Sequence, residues 1–115
     1  MAALTYLRTH RKLWALTQED LGMLLGRRTS LRRSTIYRLE AGSISPSVRV
    51  AFACELLFGK EARQLFPDFY DDLESIIVGR AEQMHRSLGE RSDVQSLRKR
   101  ELLEQIMERV RRGGL

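Results

Sequence analysis

The chain has 115 residues, of which 43% are hydrophobic and 30% are charged, and its formal net charge is +5. This length suits one domain, or a small domain with an appendage. A single cysteine excludes an internal disulfide framework, and no apolar run approaches the ~20 residues of a transmembrane helix. The first residues also lack the pattern of a signal peptide, so we expect a cytoplasmic protein.

Positive charge is concentrated in the first half of the chain. Residues 1–60 contain ten Lys or Arg and four acidic residues, whereas the remainder contains ten basic and eleven acidic residues. Because the excess charge belongs to one half only, the direct electrostatic interpretation is a polyanionic partner for that half.

Two helices are predicted before the arginine-rich part of the chain. The first spans about residues 3–15. The second begins after Thr17, whose hydroxyl can accept from a backbone N–H in the first turn, and it ends near Gly26. Gly22 stands where close approach of another segment would favour a residue without a side chain. The apolar face of this second helix carries Leu21, Leu24 and Leu25 at helical spacing.

A third helix is predicted from Ser34, or a residue just before it, to Gly42. Ile36 and Leu39 are three residues apart, so both face the interior, and the polar residues face outward. Glu40 is unfavourable at this end of a helix, where the dipole prefers a cation. A partner would explain it, and Arg11 in the first helix is the candidate.

Two more helices complete the predicted first domain, residues 1–66. One begins with Ser45 as N-cap and Pro46 in the first helical position, where the missing N–H of proline has no cost. It continues to Gly59, and a short helix over residues 60–66 follows.

The remaining residues, 67–115, predict a helical hairpin that serves as a dimerisation or partner-binding domain. One predicted helix begins at Asp68 and another begins after Ser92 and Asp93. Each carries an apolar stripe along one face. A hairpin covers only part of two apolar stripes of this length, so we expect a partner to cover the rest. We favour homodimerisation over packing against the first domain. The residues assigned to this surface are Leu73, Ile76, Ile77, Met84, Leu103, Ile106, Met107 and Val110.

Residues 4–66 resemble the Xre family of helix-turn-helix domains, the fold of lambdoid phage repressors and Cro proteins. The resemblance implies an all-α chain with a five-helix, lambda-repressor-like domain, a buried Arg11–Glu40 ion pair, and recognition of DNA by the third helix. The matching positions, in order, are Arg11, Thr17, Gln18, Leu21, Gly26, Ile36, Glu40, Gly42, Pro46 and Ser47, with Gly22 in place of the family's alanine.

The chain departs from the family in the turn before the third helix. About six residues usually separate the glycine that ends helix 2 from the isoleucine of helix 3, but here Gly26 and Ile36 are ten apart. Either the turn is longer, or the third helix starts earlier, near Thr29 or Ser30. Both alternatives place several arginines at the edge of the recognition helix.

We therefore predict two classes of DNA contact. Arginine forks suit guanine and phosphate alike, and the start of a helix favours anions. The residues expected at base edges are Arg32, Arg33, Ser34, Tyr37 and Arg38. Those expected at phosphates are Thr17, Gln18, Arg27, Arg28, Ser43, Ser47 and Arg49.

The predicted function is a sequence-specific DNA-binding transcriptional regulator, a repressor that binds a palindromic operator as a homodimer. The resemblance implies a bacterial or phage protein associated with the nucleoid. The alternative is an antitoxin whose C-terminal hairpin neutralises a toxin and which autoregulates its operon. RNA binding is disfavoured because no stacking aromatic besides Tyr37 accompanies the arginines. Without a nucleophile–base pair, a metal-ligand cluster or a phosphate loop, we expect neither an enzyme nor a cofactor or metal.

Overall fold

The computed structural model describes residues 2–113, and every regular element in that range is a helix, which confirms the all-α prediction. Two compact units are separated between Tyr70 and Asp71. None of the helices in the described range combines the length and apolarity needed to cross a membrane. The helices are α1 Leu7–Leu13, α2 Gln18–Leu25, α3 Arg33–Ala41, α4 Val48–Phe58, α5 Ala62–Leu65, α6 Pro67–Leu88 and α7 Val94–Arg111.

The first unit is built around one apolar core to which α1 to α5 each contribute. Leu7, Leu21, Leu25, Ile36 and Leu65 have no exposed surface. Full burial of a leucine or isoleucine side chain contributes about 1.5–3 kcal/mol, so these residues anchor α2 and α3 firmly. Their outward faces are therefore held in a defined orientation.

Helix α1 is shorter than predicted because the residues before it bond to other parts of the fold. The backbone N–H of Ala3 donates to the Gly42 carbonyl at 3.1 Å, and that of Tyr6 donates to the Leu65 carbonyl at 2.8 Å. At the other end Ala15 has a φ of 57°, which stops the helix. Tertiary hydrogen bonds thus replace the first turn that sequence periodicity favours.

Helix α2 begins as predicted, with a reciprocal capping box. The hydroxyl of Thr17 accepts from the Asp20 N–H at 3.0 Å, and the Asp20 carboxylate accepts from the Thr17 N–H at 2.9 Å. The Thr17 N–H, followed by its hydroxyl, lowers the pKa of Asp20. Two backbone donors at the start of α2 are satisfied in this way.

The turn before α3 is the longer one, since α3 starts only at Arg33 with Arg32 as N-cap. The returning chain comes very close to Gly22: the Leu31 N–H donates to the Gly22 carbonyl at 2.9 Å. A Cβ at position 22 would lie 2.5 Å from the Leu31 carbonyl oxygen. Gly22, which replaces the family's alanine, therefore leaves the space that the returning backbone of the long turn occupies.

Helix α4 begins later than predicted. Ser47, not Ser45, is the N-cap, and its hydroxyl accepts from the Val50 N–H at 3.2 Å. Pro46 consequently precedes the helix instead of occupying its first position. Helix α5 is also shorter than predicted, with a capping box between Glu61 and Gln64.

The second unit is a helical hairpin made by the rest of α6 together with α7. Its interior consists of Ala81, Leu88 and Leu103, with Ile106 and Met107 packed against them. Leu103 is 6% exposed, so the structure places it inside the hairpin and not on a partner surface. Its assignment to that surface is corrected for this reason.

Polar groups close the end of the hairpin. Asp93 caps α7 by accepting from the Ser96 N–H at 3.1 Å and from its hydroxyl at 2.7 Å. The guanidinium of Arg100 donates to the carbonyls of Gly89 and Arg91 at 2.7 and 2.9 Å. These bonds hold the connection between α6 and α7 in one conformation.

Candidate nucleic-acid interface

Helix α3 separates a buried apolar face from an exposed polar face. Ile36 and Leu39 are 0% and 2% exposed, whereas Tyr37 is 63% exposed. The side chains of Arg33 and Arg38 are also exposed. The five residues predicted to contact bases, Arg32, Arg33, Ser34, Tyr37 and Arg38, are all exposed in the structure.

A buried ion pair fixes the C-terminal end of α3 against α1. Glu40 accepts from the Arg11 guanidinium at both Nε and Nη2, the second bond being 3.1 Å long. The remaining Nη1 of Arg11 donates to the Leu16 carbonyl at 2.9 Å. Since the two side chains are only 9% and 4% exposed, each charge depends on the other for compensation.

Gln18 joins this ion pair to the exposed face of α3. Its Nε2 donates to Glu40 Oε1 at 3.1 Å, and its Oε1 accepts from Arg33 Nε at 3.3 Å. The sequence pattern predicts Gln18 only as a phosphate contact, because a bond across three helices leaves no local signal. Arg33 is thereby oriented by a side chain of α2.

The polar groups around Gln18 line an open cleft between α1, α2 and α3. The cleft has a volume of about 720 Å³. Its acidic groups are Glu19 and the already paired Glu40. The lining residues are Arg8, Arg11, Leu16, Thr17, Gln18, Glu19, Arg33, Tyr37, Glu40 and Ala41.

Three hydroxyl-bearing residues assigned to phosphate contacts lie at helix ends. Thr17 and Ser47 use their oxygens to accept backbone N–H groups, and Ser47 keeps its hydroxyl proton to donate, whereas the Thr17 hydroxyl faces the Asp20 carboxylate. Ser43 is exposed just after α3, and its N–H donates to the Arg38 carbonyl at 3.0 Å. Ser43 and Ser47 therefore retain the hydroxyl donor that a phosphate oxygen requires.

The arginine-rich segment, residues 27–30, forms an exposed lobe between α2 and α3. It folds back over Gly26, where a Cβ would meet the backbone of Thr29 and Ser30. Arg27 and Arg28 have no ion pair or side-chain hydrogen bond to any other residue in the described part of the chain. Their charges are therefore not neutralised by the protein.

The sequence predicts that Arg49, at the start of α4, contacts a phosphate. In the structure its guanidinium binds two backbone carbonyls of the protein. Its Nη1 donates to the Leu25 carbonyl at 2.6 Å and its Nη2 to the Gly26 carbonyl at 3.2 Å. These are the last carbonyls of α2, which have no partner within the helix. The fork of one guanidinium thus caps α2 from 24 residues away.

Charge is strongly one-sided around α3. Between Asp20 and Glu40 the sequence contains five arginines and no acidic residue. With few carboxylates nearby, the electrostatic potential of this surface is positive and suits a polyanion.

Comparisons with known proteins agree with this architecture. A helix-turn-helix family model matches residues 7–65, more than half of the chain. An uncharacterized HTH-type transcriptional regulator of Methanocaldococcus jannaschii is 38% identical over 68 residues, which cover 59% of this chain and 94% of that protein. Another, from Archaeoglobus fulgidus, is 36% identical over 70 residues, covering 61% and 91% respectively.

No solved structure matches the chain significantly. Both relatives are archaeal, so they do not support the bacterial or phage origin predicted from the sequence. The family model ends at residue 65 and leaves the hairpin unmatched. The family match, the two relatives and the helical order together establish that the chain belongs to the Xre-type helix-turn-helix family of DNA-binding transcriptional regulators.

Proposed function

We propose that the protein is a transcriptional repressor that inserts α3 into the major groove of a palindromic operator, to which it binds as a homodimer. The observation that carries this proposal is the division of α3 into two faces. Its apolar face and Glu40 are buried, while Arg33, Tyr37 and Arg38 are exposed. A rigid helix with a polar, positively charged outer face is what direct readout of base pairs requires.

The exposed arginines of α3 are the main candidates for sequence recognition. A guanidinium can donate two parallel hydrogen bonds to the O6 and N7 atoms of guanine. Arg38 makes no side-chain bond within the described part of the chain, and Arg33 is bound only to Gln18. Arg32, Ser34 and Tyr37 complete the proposed base-contacting set.

The phosphate contacts are proposed to surround this recognition face. Gln18, Ser43 and Ser47 offer neutral donors at helix ends, and Thr17 is proposed to approach the same phosphates beside Gln18. Arg27 and Arg28 offer charge. Such contacts set the affinity and its salt dependence without reading the sequence. A protein that binds chromosomal DNA in this way is expected to be located with the nucleoid.

The hairpin supports the proposed homodimer. On α6, the side chains of Leu73, Ile76, Ile77 and Met84 are between 40% and 58% exposed and recur at helical spacing. A second copy would cover this face by two-fold symmetry, and two copies of α3 would read two half-sites. The proposed partner surface therefore lies mainly on α6, with the partly buried Ile106, Met107 and Val110 of α7 as further candidates.

One selection experiment tests both parts of the proposal. Bound sequences are selected from random duplex DNA, and the mass of the protein is measured in the same buffer. We expect a dimer and a palindrome with half-sites one helical turn, about 10 base pairs, apart. An asymmetric site, or no enrichment at all, would overturn the proposal.

A substitution in α3 tests the assignment of base contacts. Arg38→Ala should weaken binding to the selected duplex by about 1–3 kcal/mol and relax the preference at one base position. Arg98→Ala removes the same charge from an exposed position on α7 and should change neither quantity. Equal loss on all duplexes with Arg38→Ala would make it a phosphate contact instead.

A substitution on α6 tests the dimer. Ile77→Asp places a charge within the apolar face and should yield monomers, because the charge would be buried without a partner. Ser75→Asp adds the same charge on the polar side of the helix and should leave the dimer intact. A wild-type chain that is monomeric unless a second protein is co-expressed would favour the antitoxin alternative.

A further inference from the structure

The arginine-rich lobe and its attachment to α4 carry an inference that rests on the proposed DNA binding. Exposed loops are usually free to move, and a mobile arginine loses part of its contribution to binding when it is ordered. The lobe at residues 27–30 is held at its base by specific bonds. One set is donated by the Arg49 guanidinium, and the other joins the backbones of Gly22 and Leu31.

The attachment fixes both ends of the lobe. At its start, the Arg49 guanidinium binds the carbonyls of Leu25 and Gly26. At its end, the Leu31 N–H binds the Gly22 carbonyl. Arg49 is the component of this attachment contributed from outside the α2–α3 segment, so the direction in which the chain leaves α2 depends on it.

The position of the lobe indicates what it contacts. It lies immediately before the N-terminal end of α3, the end whose residues reach base edges when such a helix lies in the major groove. A segment beside that end meets the sugar-phosphate backbone that borders the groove. Arg27 and Arg28 are exposed there and make no ion pair within the described residues.

We propose that Arg49 is a positioning residue for DNA binding, which holds the lobe so that Arg27 and Arg28 both contact backbone phosphates beside the bases read by α3. In this arrangement Arg49 contributes to affinity without touching DNA. Two of its N–H groups are already bound to protein carbonyls, and the phosphate contacts are made by the two arginines of the lobe. The longer turn thus extends the footprint of the domain along the phosphate backbone.

Salt dependence of binding to the selected duplex tests this arrangement. Each phosphate contact contributes about 0.9 to the slope of log K against log salt concentration. Arg27→Ala combined with Arg28→Ala should therefore flatten the slope by about 1.8. Arg49→Ala alone should flatten it by a similar amount, and the triple variant should go no further. Additive loss, or no effect of Arg49→Ala on the slope, would overturn the proposal.

A conservative variant separates positioning from direct charge. Gln at position 49 is neutral but keeps an N–H donor that can bind one of the two carbonyls. Arg49→Gln should therefore retain more of the slope than Arg49→Ala, whereas equal losses would make Arg49 a phosphate contact. It also serves if Arg49→Ala fails to fold, which circular dichroism would show.

The same measurements distinguish this inference from the proposed function. If the wild-type chain does not bind duplex DNA, the proposed function fails. If it binds its selected site normally but the lobe variants leave the slope unchanged, only the role of Arg49 and the lobe is wrong.

Discussion

Removal of the Glu40 carboxylate should strongly destabilise the first unit. Glu40→Ala leaves the Arg11 guanidinium charged at a site where its side chain is 9% exposed, with neither of the two bonds that Nε and Nη2 donate. Gln18 loses its acceptor as well. Breaking one side of a buried ion pair costs about 3–5 kcal/mol. A domain of this size loses roughly 4–8 °C of Tm per kcal/mol, so Tm should fall by more than about 12 °C.

The double variant Arg11→Met, Glu40→Leu separates pairing from burial. Both charges are gone, so the cost should be well below that of Glu40→Ala. About 1 kcal/mol should remain, because the Leu16 carbonyl loses the bond from Arg11.

Urea unfolding followed by far-ultraviolet circular dichroism measures the free energies of unfolding of the wild type, of Glu40→Ala and of the double variant. Glu101→Ala, an exposed acid-to-alanine change on α7, is the matched control and should lie within about 0.5 kcal/mol of wild type. The prediction fails if Glu40→Ala costs less than about 1 kcal/mol, or if the double variant is as unstable as Glu40→Ala.

Three further predictions concern single groups. Gly22→Ala should destabilise the fold by about 1–3 kcal/mol, because the added Cβ clashes with the Leu31 carbonyl. In the control Gly79→Ala, the added Cβ meets no neighbour within 4 Å, so this change should stabilise α6 by about 0.5–1 kcal/mol. Stabilisation by both variants would disprove the close approach of Leu31 to Gly22. Burial raises the pKa of Cys54 to about 12, so a disulfide reagent at pH 8 should modify the unfolded chain and not the native one. The lowered pKa of Asp20 means that its contribution to stability is present above its ordinary value of 3.8 and is lost as pH falls through the lower folded value. Thermal melts of Asp20→Asn and wild type should therefore differ at pH 6 and converge in strong acid, and a constant difference would contradict the assignment.

Elements whose signals are local were predicted well from the sequence. The N-cap of α2 needs only Thr17 and the first turn that follows it, and the Thr17 hydroxyl accepts a backbone N–H there, as predicted. The burial of Ile36 and Leu39 follows from their helical spacing. The family pattern also indicated which helix presents Tyr37 to the solvent, and the family itself is confirmed by comparison.

Elements that depend on competition between neighbouring signals were predicted less well. Ser45 and Ser47 are both acceptable N-caps, and the structure selects Ser47, which accepts the Val50 N–H. The first residues of α1 have helical periodicity, yet Ala3 and Tyr6 find backbone partners elsewhere in the fold. In each case a distant or slightly better partner outweighs a weak local preference.

The helix-turn-helix identity, the positive charge around α3 and the two faces of that helix can be read from the amino-acid sequence, because caps, periodicity and charge are properties of neighbouring residues. Three features emerge from the folded chain alone: Arg49 caps α2, Gln18 links Glu40 to Arg33, and Leu103 lies inside the hairpin. The hydrogen bonds among them join residues that are 15 to 24 positions apart in the sequence. At such separations the packing of the helices decides which donor reaches which acceptor. No short segment of the sequence specifies that packing.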